Sequence, residues 1–117
     1  MYHYKALVTR VVDGDTIVVD IDLGMYVTLK DQRIRLARID APSLRSKNPF
    51  TKKKAIEAKK LLDKLILNKT VEIKTLKVKN NKDKKGKYGR WIAEVYLNEK
   101  CINDTLLDLN LVKYVKY

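Results

Sequence analysis

TKKKAIEAKKLLDKLIL, residues 51–67, is where the chain changes period. Ala55, Ala58, Leu62, Leu65 and Ile66 recur at three- and four-residue spacing, with Leu61 beside them. That spacing predicts one apolar face of an amphipathic helix, and Asn68 can end it. The sequence on both sides reads differently. KALVTRVV (5–12) and TIVVDID (16–22) are β-rich runs separated by Asp13-Gly14-Asp15, and Asp-Gly between such runs is a strong hairpin signal. After a turn at Gly24, residues 26–39 form a third extended segment, interrupted at Lys30, Asp31 and Gln32. Beyond the helix, VEIKTLKV (71–78) alternates as a half-buried strand, and RWIAEVYL (90–97) is its expected antiparallel partner. Asn103 is expected to cap a short helix over TLLDLNL (105–111).

The expected order is thus three strands, a helix, two strands and a short helix near the C-terminus. This predicts an α+β, mainly β domain over residues 1–117, with a five-stranded OB-type barrel. The absence of regular β/α alternation argues against a doubly wound sheet.

The bulk properties bound the function. At 117 residues one core is sustained without staples. No apolar run approaches the roughly 18 residues of a membrane helix, so no membrane partner is expected. A single cysteine, Cys101, excludes an internal disulfide; with no signal peptide visible, a cytoplasmic, monomeric protein is expected. Lys and Arg number 26 against 14 acids, a net charge of +12. Such a surface attracts polyanions, although a lysine-rich composition alone would give the same number.

Three islands carry candidate chemistry: VVDGDT (11–16), RLARIDAPS (35–43) and KYGR (87–90). Each lies at a strand end or beside a turn, where a barrel presents groups to solvent. Taken alone, Asp13-Gly14-Asp15 is a hairpin turn, with Asp13 shaping it. Arg35 taken alone is a structural ion pair with Asp40 or Asp15. In this order and spacing, however, the islands resemble the staphylococcal nuclease (thermonuclease-like) family, and the resemblance runs from Val8 to about Tyr117.

The resemblance implies an OB-type barrel and Ca²⁺-dependent hydrolysis of DNA or RNA phosphodiesters. It implies Asp15, Asp40 and the backbone carbonyl of Ala41 as metal ligands, and Arg35 and Arg90 as the clamp on the scissile phosphate. Lys87 and Tyr88 match groups near a terminal phosphate. Tyr114 or Tyr117 matches a base-stacking tyrosine, with the tail one residue out of step. Lys84 and Lys85, in the run KNNKDKKGK (79–87), could guide a phosphate backbone or be a solvated loop. These residue types suit the task. Hard cations take carboxylate and carbonyl oxygens, and guanidinium forks match phosphate oxygens without losing charge.

Two departures stand out. Family members usually read D-[AT]-P-E, the Glu acting as general base, whereas this chain has Ser43. Losing a general base typically costs about 10²- to 10⁴-fold in rate, so a slow nuclease is expected. The alternative is a non-catalytic nucleic-acid-binding OB module. A protein-interaction domain is a third, weaker reading. Family members also often continue into a C-terminal helix beyond the point where Tyr117 stands. His3 is expected to be an exposed strand-end residue, and Trp91 and Cys101 to pack in or near the core.

Overall fold

The computed structural model describes residues 2–75 and 91–115. The first strand, β1 (Tyr2–Asp13), is long enough to serve two partners. Its first half pairs antiparallel with β5 (Thr70–Thr75), from Tyr2 opposite Thr75 to Leu7 opposite Thr70. Its second half forms a hairpin with β2 (Thr16–Asp22) across the Gly14–Asp15 turn. Irregularities between Val8 and Arg10 and between Val11 and Asp13 bend the strand as it changes partner. This is how bulges turn the corners of small barrels.

The third strand, β3 (Thr28–Leu36), pairs antiparallel with β2. The interruption expected at residues 30–32 is a register shift in which Asp31 takes a positive φ of 56°. Beyond the Ala37–Arg38 turn the chain continues as the two-residue β4 (Ile39–Asp40). The strand β6 (Trp91–Leu97) pairs antiparallel with β5, as expected, and parallel with β3 through Ile34–Trp91, Arg35–Ile92 and Leu36–Ala93. That parallel pairing closes β3-β2-β1-β5-β6 into a five-stranded barrel. Two short strands complete the sheets: β7 (Lys100–Cys101) on β6, and β8 (Lys113–Tyr114) on β4.

The helix α1 spans Pro49–Ile66, starting two residues before the expected boundary. Asn48 sets the start by accepting the Phe50 N–H at 2.9 Å, and Pro49 follows in the first helical position. The helix ends as anticipated, with Asn68 at φ 62°. Ala55, Ala58, Leu62 and Ile66 are its buried stripe, and it packs on β1. Leu62 and Ile66 join Val8, Ile17, Val19, Ile34, Leu36, Ile73 and Val95 in one core.

The second helix corrects the sequence expectation. It is α2 (Ile102–Asp108), with Cys101 at the N-cap and no side-chain cap. Asn103 lies inside it and is fully buried. Its amide donates to Ala37 O at 2.7 Å, and its Oδ1 accepts the Val95 N–H at 3.0 Å. Its residue type favours a cap, yet its partners are 66 and 8 residues away, beyond the reach of any local rule. His3 is exposed on β1, and Cys101 is half-buried. The half-buried Trp91 donates its indole N–H to Gln32. No helix among the described residues is long and apolar enough to cross a membrane.

Candidate metal and phosphate site

The site forms where the β1–β2 turn meets the end of β3. The Leu36 N–H donates to Asp15 O at 2.8 Å, and Thr16 stands opposite Arg35 in the ladder. Two islands 20 residues apart in sequence are therefore adjacent because of the barrel pairing itself.

Arg35 is the hub. Its Nη1 lies 3.3 Å from Asp15 Oδ2 and its Nη2 3.2 Å from Asp40 Oδ1, while Nη1 also donates to Leu36 O at 3.1 Å. The guanidinium is largely buried, at 12% side-chain exposure, whereas Asp40 is 57% exposed. The residues expected to bind metal thus sit on either side of a residue expected to bind phosphate.

Asp15 is held on all sides. Its Oδ1 accepts the Thr16 hydroxyl at 3.0 Å and its Oδ2 accepts the Ala41 N–H at 2.8 Å. Burial by itself would raise this carboxyl, but hydrogen bonds from Asp13 and Ala41 and the charge of Arg35 outweigh it and hold Asp15 below its ordinary value. Asp13 shapes the turn as expected, its Oδ1 accepting the Asp15 N–H at 3.1 Å. Asp13 shows the cost of burial beside a second acid. Burial first, and then the hydrogen bond and charge of Asp15, push it up to about 6.

Gly14 explains how α1 reaches this corner. A Cβ there would lie 2.7 Å from Ala58 Cβ on α1 and 2.9 Å from Ala41 Cβ. Only a residue without a side chain lets the turn, the helix and the Asp40–Ala41 segment meet.

These residues fit a hard divalent cation. Two carboxylates from separate strand ends flank one guanidinium, and Asp40 remains largely exposed. Among the described residues, no three His, Cys, Asp or Glu side chains form a ready-made cage. The expected set needs only two acids, the rest of a Ca²⁺ shell being carbonyl and water oxygens.

Ser43 lies at the exposed start of the next turn. Its Oγ accepts the Arg45 N–H at 3.1 Å, and its carbonyl accepts the Ser46 N–H at 3.2 Å. The side chain at the family's base position is therefore a turn-former here. Glu57, the next acid in sequence, is exposed on α1. Tyr114 is exposed on β8, opposite Ile39. Arg90, Lys84, Lys85, Lys87, Tyr88 and Tyr117 lie outside the described residues.

A family model described as staphylococcal nuclease homologue matches residues 33–115. The chain belongs to the staphylococcal nuclease family. The match takes in Arg35, Asp40, Ala41 and Ser43, whereas Asp15 precedes it and is joined to the site by the fold alone. No curated protein is similar enough to the chain to count as a match.

Sequence reasoning overlooked three contributors: Thr16, the Ala41 N–H and the close packing at Gly14. The first two were legible only as neighbours of named ligands. Gly14 carried a signal, a glycine between two acids, but turn chemistry absorbed it. Arg38, in the same charged stretch as Arg35, points elsewhere. It pairs with Asp104 at 2.9 Å and Glu94 at 3.4 Å, tying the Ala37–Arg38 turn to α2 and β6.

Proposed function

We propose that this protein is a Ca²⁺-dependent nuclease acting on DNA or RNA phosphodiesters, slowed by serine at the general-base position. The observation that carries the reading is the convergence of Asp15 and Asp40 on Arg35, within a chain of net charge +12. Asp15, Asp40 and the Ala41 carbonyl would hold the ion. Bound Ca²⁺ would supply positive charge beside a phosphodiester and modest acidification of nearby water.

The chain's own residues do the rest. A guanidinium has five N–H donors, and the contacts of Arg35 leave donors to meet a phosphate oxygen. Its charge is permanent, so it stabilises the negative charge that builds on phosphorus during attack. Asp15 and Asp40 fix the plane of that guanidinium, so no reorganisation is needed as charge develops. Ser43 offers no proton acceptor of useful pKa, and its hydroxyl already serves the turn. Proton removal then falls to solvent, and the rate should follow hydroxide.

That use of Ser43 Oγ supports a second reading, a nucleic-acid-binding module that keeps the cation site without turnover. Two measurements separate the readings. Calcium titration by calorimetry should show one site that Asp40→Ala abolishes or greatly weakens; unchanged binding would refute the metal assignment. Hydrolysis of single-stranded DNA and RNA should be slow in the wild type and rise by about 10²-fold in Ser43→Glu. No turnover in Ser43→Glu with calcium bound would replace the enzyme by the binding module.

A further inference from the structure

A cleft of about 570 Å³ opens beside the site. Asp40, Ala41, Pro42 and Ser43 line one part of it, Phe50 and Lys54 of α1 another, and residues 110–113 a third. We propose that this cleft is a nucleotide subsite in which Phe50 stacks the base next to the scissile phosphate and Lys54 pairs with the adjoining phosphate. The inference rests on the nucleic-acid reading above and deepens it.

The volume is within the range of small-molecule clefts. Phe50 is the chain's only phenylalanine, and it is 81% exposed. Burying such a ring elsewhere would be worth about 1.5–3 kcal/mol. A lone exposed apolar side chain is ordinary; Phe50 differs because it lines a cleft continuous with Asp40. Its main chain is fixed by the Asn48 cap, so the ring is presented from a rigid helix start. Lys54 lies four residues on, on the same side of the helix. Lys113, exposed on β8, adds a second cation to the lining. An aromatic platform with lysines beside it is the composition that binds single strands, since every base has a π face and every linkage a negative charge.

The test uses fluorescence anisotropy with a labelled eight-nucleotide oligothymidylate, in EDTA and in Ca²⁺. Phe50→Ala should weaken binding by about 10-fold or more, and Phe50→Trp should retain it. Lys54→Ala should weaken binding and reduce the slope of log affinity against log salt by about 0.7. Tyr26→Ala is the control, because Tyr26 is fully exposed but lines a separate cleft at the β2–β3 turn. It should change nothing. An oligonucleotide carrying abasic sites should bind the wild type and Phe50→Ala alike. Wild-type binding that Phe50→Ala leaves unchanged, or that Tyr26→Ala weakens equally, overturns the subsite and leaves the nuclease reading standing. Failure of the wild type to bind at low salt overturns both.

Discussion

Replacing Asp13 by asparagine should make the metal-free protein more stable while making its cation site weaker. The carboxyl titrates at about 6 in the folded chain against an ordinary 3.8, raised first by burial and then by Asp15. The sign follows from linkage. A carboxyl raised on folding contributes stability that is fully present below about pH 4 and is lost as pH rises through about 6. Above that range the folded chain holds a charge that the unfolded chain carries more easily. Unscreened, the gap corresponds to about 3 kcal/mol; Asp13 is only partly buried, and solvent screening reduces this to about 1–2 kcal/mol. Asparagine removes the charge, keeps an oxygen for the Asp15 N–H, and can donate to the Asp15 carboxylate.

Urea denaturation reports this directly, because the single Trp91 is half-buried and hydrogen-bonded to Gln32 on the neighbouring strand β3. In EDTA at about pH 7.5, Asp13→Asn should exceed the wild type by about 1–2 kcal/mol. Near pH 4 the two should coincide. With saturating Ca²⁺ the wild type should gain more than the variant, because binding to the native state stabilises in proportion to affinity. An Asp13→Asn variant that is less stable than wild type at about pH 7.5, or a difference that does not change with pH, would refute a carboxyl raised by burial and by Asp15.

Three further outcomes follow from the geometry. Gly14→Ala should cost about 1–3 kcal/mol by overpacking, since the 2.7 and 2.9 Å approaches are to methyl groups that cannot rotate away; Ala58→Gly should restore part of it in denaturation of the double variant, and no restoration would mean the Ala58 approach is not the cause. Asn103→Ala should destabilise by about 1–3 kcal/mol for each buried group it orphans, the Val95 N–H and the Ala37 carbonyl, measured by the same denaturation. Wild-type hydrolysis should climb steadily with pH above neutrality, and a rate already flat there would instead show that another carboxylate, ionised below neutrality, acts as base.

How much was legible depended on the range of the forces involved. The hairpin at Asp13-Gly14-Asp15, the break at residues 30–32, the apolar stripe of α1 and its end at Asn68 are local, so the sequence displays them. The parallel closure of β3 on β6 has no local signal; it was reached only through the order of elements. Asn103 shows the same limit from the other side. Its type favours a cap, but a buried carbonyl and N–H from two separate strands compete for it and win. Of the site, Asp15, Arg35 and Asp40 were singled out together only by the family resemblance, and the barrel pairing brings their side chains together. Phe50 was not singled out, because nothing in the helix pattern distinguishes an exposed ring facing solvent from one facing a cleft.

The two halves of the site are bound to the fold to different degrees, and this governs what its preservation means. Asp15 and Arg35 sit in the barrel's own ladder. Asp15 O accepts the Leu36 N–H, Thr16 faces Arg35, and Arg35 pairs in turn with Ile92. Removing either acid would leave a largely buried guanidinium short of a partner, at a cost in stability whatever the function. Ser43 belongs to an exposed turn held by its own hydrogen bonds, where exchange with glutamate touches no core residue. The cation half can therefore persist for structural reasons alone, while the base position is free to drift. The presence of both acids and Arg35 is therefore accounted for by the fold whether or not an ion binds, and the proposed turnover is tested at position 43.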